Sequence, residues 1–210
     1  MSWFMAAIYD WMMKDTEEEC LAAWRAHLLS DIEGTVLEIG AGTGVNFEHY
    51  PPSVSRLIVT EPDEHMRHKL ERKHGHRSGR QVEFRDAPAE ALPLEDGAVD
   101  TVVSTLVLCS VGDPRRAIGE IHRVLAPGGR FAFLEHVAAD PHSHPGRRKW
   151  QGRVEPVWKR LAGNCHLTRE TESYIRDAGF DLQRVEHESM RKAPPWVRPT
   201  VRGMAVKTAS

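Results

Sequence analysis

The sequence predicts an α/β fold, a mainly parallel sheet with helices on both faces. Three observations predict it. Short apolar runs alternate with helical segments, the pattern of βαβ units. The first run ends in closely spaced glycines, Gly40-Ala41-Gly42-Thr43-Gly44. A later run, Thr101–Val107, is almost wholly apolar, as a central parallel strand buried on both faces should be.

Each element can be justified in order. Thr16-Glu17-Glu18-Glu19 reads as a capping box, with Thr16 capping and Glu19 reaching back. Leu21, Trp24 and Leu28 follow at helical spacing, and Gly34 marks the stop. Thr35–Ile39 is the first strand and Leu57–Thr60 the second. Asp63 to His74 reads as a polar helix stopped at Gly75. Gln81–Phe84 is a third strand and Thr101–Val107 a fourth. Asp113-Pro114 is a cap followed by an N1 proline. Ile118, Ile121, Val124 and Leu125 then share one helical face, which Pro127-Gly128-Gly129 ends. Phe131–Leu134 is the fifth strand, with right-handed crossovers expected throughout. Ala138–Arg153, rich in Pro, His, Gly and Arg, reads as a loop inserted after that strand. Thr168 reads as a helix cap, with Glu170 and Glu172 in the first turn. No repeat, low-complexity segment or domain boundary interrupts the chain. The expected organisation is one domain over residues 1–210, with 1–34 as an N-terminal helical lid and 138–172 as a substrate-side insertion.

Composition narrows the function classes. The 28 basic and 30 acidic side chains nearly cancel, so charge gives no reason to expect a nucleic-acid partner. Three well-separated cysteines, Cys20, Cys109 and Cys165, do not make a disulfide framework, and a reducing cytoplasm is expected. No apolar stretch reaches the roughly 18 residues of a membrane span, so no stable membrane insertion is expected. The apolar start, MSWFMAAIYDWMM, lacks a basic n-region and is not a signal peptide. It stays open as a lid helix or an interfacial anchor.

The glycine loop carries the most chemistry. A strand that enters a helix through close glycines lets backbone approach a ligand. The spacing is G-x-G-x-G, with Glu38 two residues before Gly40, rather than the dinucleotide fingerprint G-x-G-x-x-G. Glu61 closes the second strand, where a carboxylate can accept both hydroxyls of a ribose. A plain tight turn and a solvated helix cap are the structural alternatives for the glycines and for Glu61.

These segments carry a resemblance. Glu38 to Gly44, Glu61-Pro62, Ala89-Glu90-Ala91-Leu92-Pro93 and Glu120 to Gly129 resemble class I S-adenosylmethionine (SAM) dependent methyltransferases over Thr35 to Leu134. Asn46-Phe47, Tyr50-Pro51-Pro52, Thr105 to Val111, Glu135 to Ala138, Glu155 to Trp158, Cys165 to Glu170 and Gly203 to Lys207 resemble the alkyl-thiol S-methyltransferases of the methyltransferase-like-seven type. The closer likeness covers roughly residues 35 to 207.

The resemblance implies a Rossmann-like, seven-stranded sheet, SAM as cofactor, and methyl transfer to a small-molecule thiol. A C- or O-methyltransferase acting on a quinone, lipid or polyketide-type molecule is the alternative. It implies donor contacts at Glu38, Gly40, Gly42, Gly44, Glu61, Pro62, Ala89, Glu90 and Leu106. There are departures. Family members carry an N-terminal membrane anchor, and no such segment is read here. The ribose carboxylate is usually aspartate and is Glu61 here. The pattern G-D-A-E-x-L-P has Ala87-Pro88 in place of Gly-Asp, which leaves Asp86, or the backbone near Ala89 and Glu90, to meet the adenine.

On the acceptor side, His136 and Cys109 are the catalytic candidates, with Trp158 and His166 beside them. His136 could help deprotonate a thiol or simply bond a carbonyl. Cys109 reads as reactive or as core. Cys165-His166 suggests a nucleophile–base pair, though adjacent residues need not face each other. His142-x-His144 lacks a third ligand, so no metal is expected. Trp11, Trp150, Trp158 and Trp196 could wall an apolar pocket or be ordinary packing. The sequence gives no oligomeric state.

Overall fold

The computed structural model describes residues 14–75 and 81–208. Residues 1–13 of the expected lid lie outside the described residues. Seven strands form one sheet: β1 (Gly34–Ile39), β2 (Val54–Thr60), β3 (Gln81–Arg85), β4 (Val99–Thr105), β5 (Leu125–His136), β6 (Phe180–Ser189) and β7 (Pro199–Lys207). Their order is β3-β2-β1-β4-β5-β7-β6, and β7 alone runs antiparallel to its neighbours. The order reverses between β1 and β4, the switch point outside which ligands bind in open α/β sheets.

Alternation along each strand builds two cores. Val36 and Val103 face one layer with Leu21, Leu29 and Leu57. Leu37 and Val102 face the other with Ile118, Ile121, Phe131 and Phe133. The first layer is closed by α1 (Ala22–Leu29), which continues a π-helical turn at Glu17–Leu21. The second is closed by α3 (Pro114–Val124). Each fully buried Leu or Ile contributes roughly 1.5–3 kcal/mol, so both apolar faces hold the central strands in place.

Local signals set most boundaries. The Asp63 carboxylate accepts the Met66 N–H at 3.1 Å and starts α2 (Glu64–His74), with Gly75 at its C-cap. Asp113 accepts the N–H groups of Arg115 and Arg116, with Pro114 at N1. Five expectations are corrected. Thr16 is itself helical and caps nothing; its carbonyl takes the Cys20 thiol. β4 stops at Thr105, because Leu106 turns to φ +60°. Pro127-Gly128-Gly129 does not separate helix from strand but sits as a bulge inside β5, since Val99 pairs with Leu125 and Thr101 with Arg130. Ala138–Arg153 is not all loop, because α4 runs Pro145–Leu161. The last short helix, α5 (Thr171–Asp177), has Glu170 at its N-cap; Thr168 instead donates to Glu155 Oε2 at 2.6 Å.

Candidate active site

The glycine loop leaves β1 at the switch point, and its glycines do different work. A Cβ on Gly40 would lie 2.8 Å from both Val107 methyls, so Gly40 serves close packing against the segment after β4. A Cβ on Gly44 would lie 2.5 Å from Leu70 Cδ1, so Gly44 serves packing against α2. A Cβ on Gly42 would meet nothing within 4 Å. Gly42, at φ +57°, therefore borders open space rather than protein. This is a cradle that a side chain would fill.

Glu61 completes the cradle. Its Oε2 accepts the Gly42 N–H at 2.8 Å and its Oε1 accepts the Asp63 N–H at 2.9 Å. The carboxylate is fixed beside the loop with lone pairs left for hydroxyl donors. Burial pushes its pKa up, against the pull of those two N–H bonds. Pro62, next to it, is exposed.

Glu38 is fully buried under the loop. Its Oε1 accepts Asn46 Nδ2 and its Oε2 accepts the Tyr50 hydroxyl, each at 2.8 Å. Arg25 from α1 donates through Nη1 to Asn46 Oδ1 at 2.8 Å and to Thr105 Oγ1 at 2.7 Å. Burial raises Glu38 to about 7, with Tyr50, Asn46 and Arg25 opposing. Both Glu38 oxygens are thus engaged in holding the loop and α1 together. The sequence did not single out Arg25 for the site, and pointed to Asn46, Tyr50 and Thr105 only as parts of the family likeness. Nothing local ties Arg25 to Thr105, 80 positions away.

The remaining donor-side candidates lie on loops at the same edge. Ala89 is buried, and the Glu90 carboxylate accepts the Gly112 N–H at 2.7 Å and the Asp113 N–H at 3.2 Å. That tethers the 87–91 loop to the turn before α3. Asp86 pairs instead with Arg67, Oδ2 to Nη2 at 3.2 Å. The signature block around Glu120 has an architectural purpose. Glu120 accepts the Leu92 N–H, while Arg123 holds the Leu92 and Leu94 carbonyls and pairs with Glu120 and Asp96. Leu106, in its left-handed turn, donates its N–H to Leu134 O at 2.8 Å.

The acceptor-side candidates converge from three segments. His136 ends β5, Cys109 follows β4, and Cys165 follows α4. Cys165 Sγ lies 3.7 Å from His136 Nδ1. His136 Nε2 is buried without a partner. The Cys165 sulfur, and then burial, raise Cys109 well above the ordinary thiol pKa; Cys165 is lowered first by Cys109. Cys165 thus faces His136, not its sequence neighbour. His166 pairs with Glu155, Nδ1 to Oε1 at 3.5 Å. Trp158 and Trp196 meet edge to face at 6.1 Å, whereas Trp150 is 60% exposed and walls nothing with them. Trp11 lies outside the described residues. His142 and His144 are exposed, and Ser143 contacts His144 Nδ1 at 2.9 Å.

Residues 37–133 match the family model described as a methyltransferase domain. The human thiol S-methyltransferase TMT1B is 40% identical over 197 residues, covering 87% of this chain and 78% of that protein. Human thiol S-methyltransferase TMT1A is 38% identical over 175 residues, 82% of this chain and 70% of that one. The chain belongs to this methyltransferase family. A putative methyltransferase from Bacillus halodurans superposes with a TM-score of 0.71 at 17% identity, covering 88% of this chain and 99% of that one, which establishes the class I fold. The 87% of the chain that is aligned exceeds the span of the methyltransferase domain, so the likeness also takes in residues outside 37–133. No helix among the described residues is long and apolar enough to cross a membrane.

Proposed function

We propose that this chain transfers the methyl group of SAM to the sulfur of a small-molecule thiol and releases S-adenosylhomocysteine. The observation that carries the acceptor assignment is the 40% identity to a thiol S-methyltransferase across 87% of the chain. The geometry supports the donor. SAM has no phosphate to hold; the loop offers backbone at Gly42 and a fixed carboxylate at Glu61, which would repel a phosphate and suits ribose hydroxyls. Glu61 would accept the ribose hydroxyls, and Gly40 to Gly44 would line the methionine portion. Pro62, Ala89, Glu90 and Leu106 would border the adenosine from the neighbouring loops.

When bound, SAM supplies an electrophilic methyl on a sulfonium. The protein's own residues have two tasks, to align the acceptor and to exclude water. A thiolate and a sulfonium neutralise each other as the methyl moves. An apolar wall such as Trp158 and Trp196 favours that loss of charge, because it withholds the hydration that separated ions would keep. His136 and Cys109 stand at the acceptor end, with Cys165 joining them. The three free cysteines, Cys20, Cys109 and Cys165, fit the reducing cytoplasm expected from the sequence.

The test is a panel of thiols incubated with isotopically labelled SAM, the product read by mass spectrometry. S-methylated product is expected. Methylation of a phenol or a carbon acid with no thiol product would replace this reading with a C- or O-methyltransferase.

A further inference from the structure

Two sulfurs and one imidazole meet outside the donor cradle. The ligating atoms of Cys109, His136 and Cys165 all lie within 4.8 Å of one another. A tetrahedral zinc site, with Zn–S about 2.3 Å and Zn–N about 2.0–2.1 Å, has an S···N edge of about 3.5 Å and an S···S edge of about 3.8 Å. The 3.7 Å between Cys165 Sγ and His136 Nδ1 is already close to such an edge. From the 4.8 Å limit, the sulfur pair needs to close by at most about 1 Å and the Cys109–His136 pair by at most about 1.3 Å.

The framework around the three is tied together. His166 N–H donates to Cys109 O at 2.8 Å, and Ala138 N–H donates to Arg169 O at 2.9 Å. The buried Arg169 guanidinium grips the Leu108 and Val111 carbonyls. Each ligand thus sits within four residues of a cross-link to another ligand's segment. His136 turns Nδ1 toward Cys165, and its buried Nε2 has no protein partner, where a ligating imidazole commonly donates to an outer-shell group or a water. Thiolate and imidazole donors select zinc over hard cations such as magnesium. Three protein ligands are one short of a closed structural site, which is the composition of zinc sites that keep a position for substrate.

We propose that Cys109, His136 and Cys165 hold a zinc ion whose fourth position takes the acceptor's sulfur. The acceptor role rests on the thiol reading above. The acceptor thiol gives its proton to solvent on coordination, since a coordinating thiol is deprotonated outright. Its sulfur then forms a bond to the methyl carbon as the donor's sulfonium–methyl bond breaks and that electron pair returns to the donor sulfur. Nothing is oxidised or reduced. The thioether product is a poor ligand and leaves.

The test reads metal directly. Full-length protein from zinc-supplemented cells is analysed by elemental mass spectrometry, then exchanged with Co²⁺ for absorption spectroscopy. One zinc per chain is expected, and a Co²⁺ form with thiolate-to-cobalt charge transfer in the near ultraviolet. Cys165→Ser and Cys109→Ser, checked for folding by circular dichroism, should weaken Co²⁺ binding at least roughly tenfold, as loss of even outer-shell partners does. A small alkyl thiol added to wild-type Co²⁺ protein should intensify the charge-transfer band. Substoichiometric zinc with no Co²⁺ uptake overturns the site, as does equal uptake by the folded Cys165→Ser protein. So does an intact mass lighter by two hydrogens, which would show a Cys109–Cys165 disulfide. Thiol methylation is measured separately on the same protein. If thiols are methylated without metal, the zinc site falls and the proposed function stands. If metal binds, thiols leave the spectrum unchanged and no thiol is methylated, both the acceptor position and the proposed function fall.

Discussion

The proposed donor and acceptor halves of this site are built by opposite means. The donor half, from Glu38 to Glu61, spans little more than twenty residues and works through backbone: a glycine bordering empty space and a carboxylate pinned by two N–H groups. The acceptor half draws Cys109, His136 and Cys165 from three separated segments and works through side chains. A backbone site is vulnerable to any added Cβ. A side-chain site is vulnerable to truncation, and to loosening of the contacts that bring its segments together.

The largest expected effect breaks the donor half. Gly42→Val should abolish SAM binding, measured by calorimetry, while the protein still folds. The new Cβ meets no protein atom, so the cost to folding is that of the left-handed backbone, about 1–2 kcal/mol for an L residue and somewhat more for a β-branched one. Gly44→Ala should do the reverse. Its Cβ runs into Leu70 and His74 on a backbone that is also left-handed, φ +82°, so overpacking of about 1–3 kcal/mol adds to the same backbone cost, whatever happens to SAM. Equal loss of folding in both variants would show that Gly42 borders protein after all.

The next effect breaks the acceptor half. His136→Ala should leave SAM affinity intact and lower thiol turnover near neutral pH by about 10²–10⁴-fold, the range for lost help in deprotonating the acceptor. The measurement is rate against pH at equal folded concentration. Activity recovering toward the thiol's own pKa supports that help; activity falling only as far as folded yield reduces His136 to a structural residue.

These two halves were not equally legible. The glycine spacing, Glu61 and the caps at Asp63 and Asp113 are local signals, and the structure places each where the spacing requires. Cys165 facing His136 across 29 positions is not a local signal, and the adjacent His166 drew the eye instead. Helix α4 was hidden for a related reason. Its one fully buried side chain is polar: Gln151 accepts the Ala139 N–H at 2.7 Å and donates to the carbonyls of Val137 and Trp196. A helix docked by an amide rather than an apolar stripe leaves no hydrophobic period to read. Pro145, Gly146, Gly152 and Pro156 then argue for a loop. Pro145 in fact starts the helix at N1.

Glu61→Ala sharpens the comparison by removing the donor half's principal side chain. SAM affinity should weaken by about 1.5–3 kcal/mol, the range for hydrogen bonds to a charged group. Calorimetry that finds unchanged affinity in a folded variant removes Glu61 from the site and leaves the donor cradle wholly backbone.

The smallest effect tests whether the donor half is as backbone-dominated as it looks. Glu38 lies beneath the loop, holds Asn46 and Tyr50, and is raised by burial from 4.5 to about 7. A carboxyl whose folded pKa is raised binds its proton more tightly in the folded chain than in the unfolded one. Between pH 4.5 and about 7 the folded state therefore carries the extra proton, and stability falls as pH rises. Above that window both states are ionised and the effect is flat. One such group contributes a slope of at most about 1.4 kcal/mol per pH unit. Glu61 and Glu135 are also raised by burial and add to the wild-type slope, so the informative quantity is the difference between proteins. Glu38→Gln keeps the shape and a hydrogen-bonding group but has no proton to gain. Urea unfolding across this range should show a shallower decline for Glu38→Gln than for wild type. Parallel curves would mean that Glu38 is ionised in the fold at every pH tested, held so by Arg25, Asn46 and Tyr50. The loop would then rest on a buried ion and its partners, and the donor half would share the acceptor half's dependence on distant side chains.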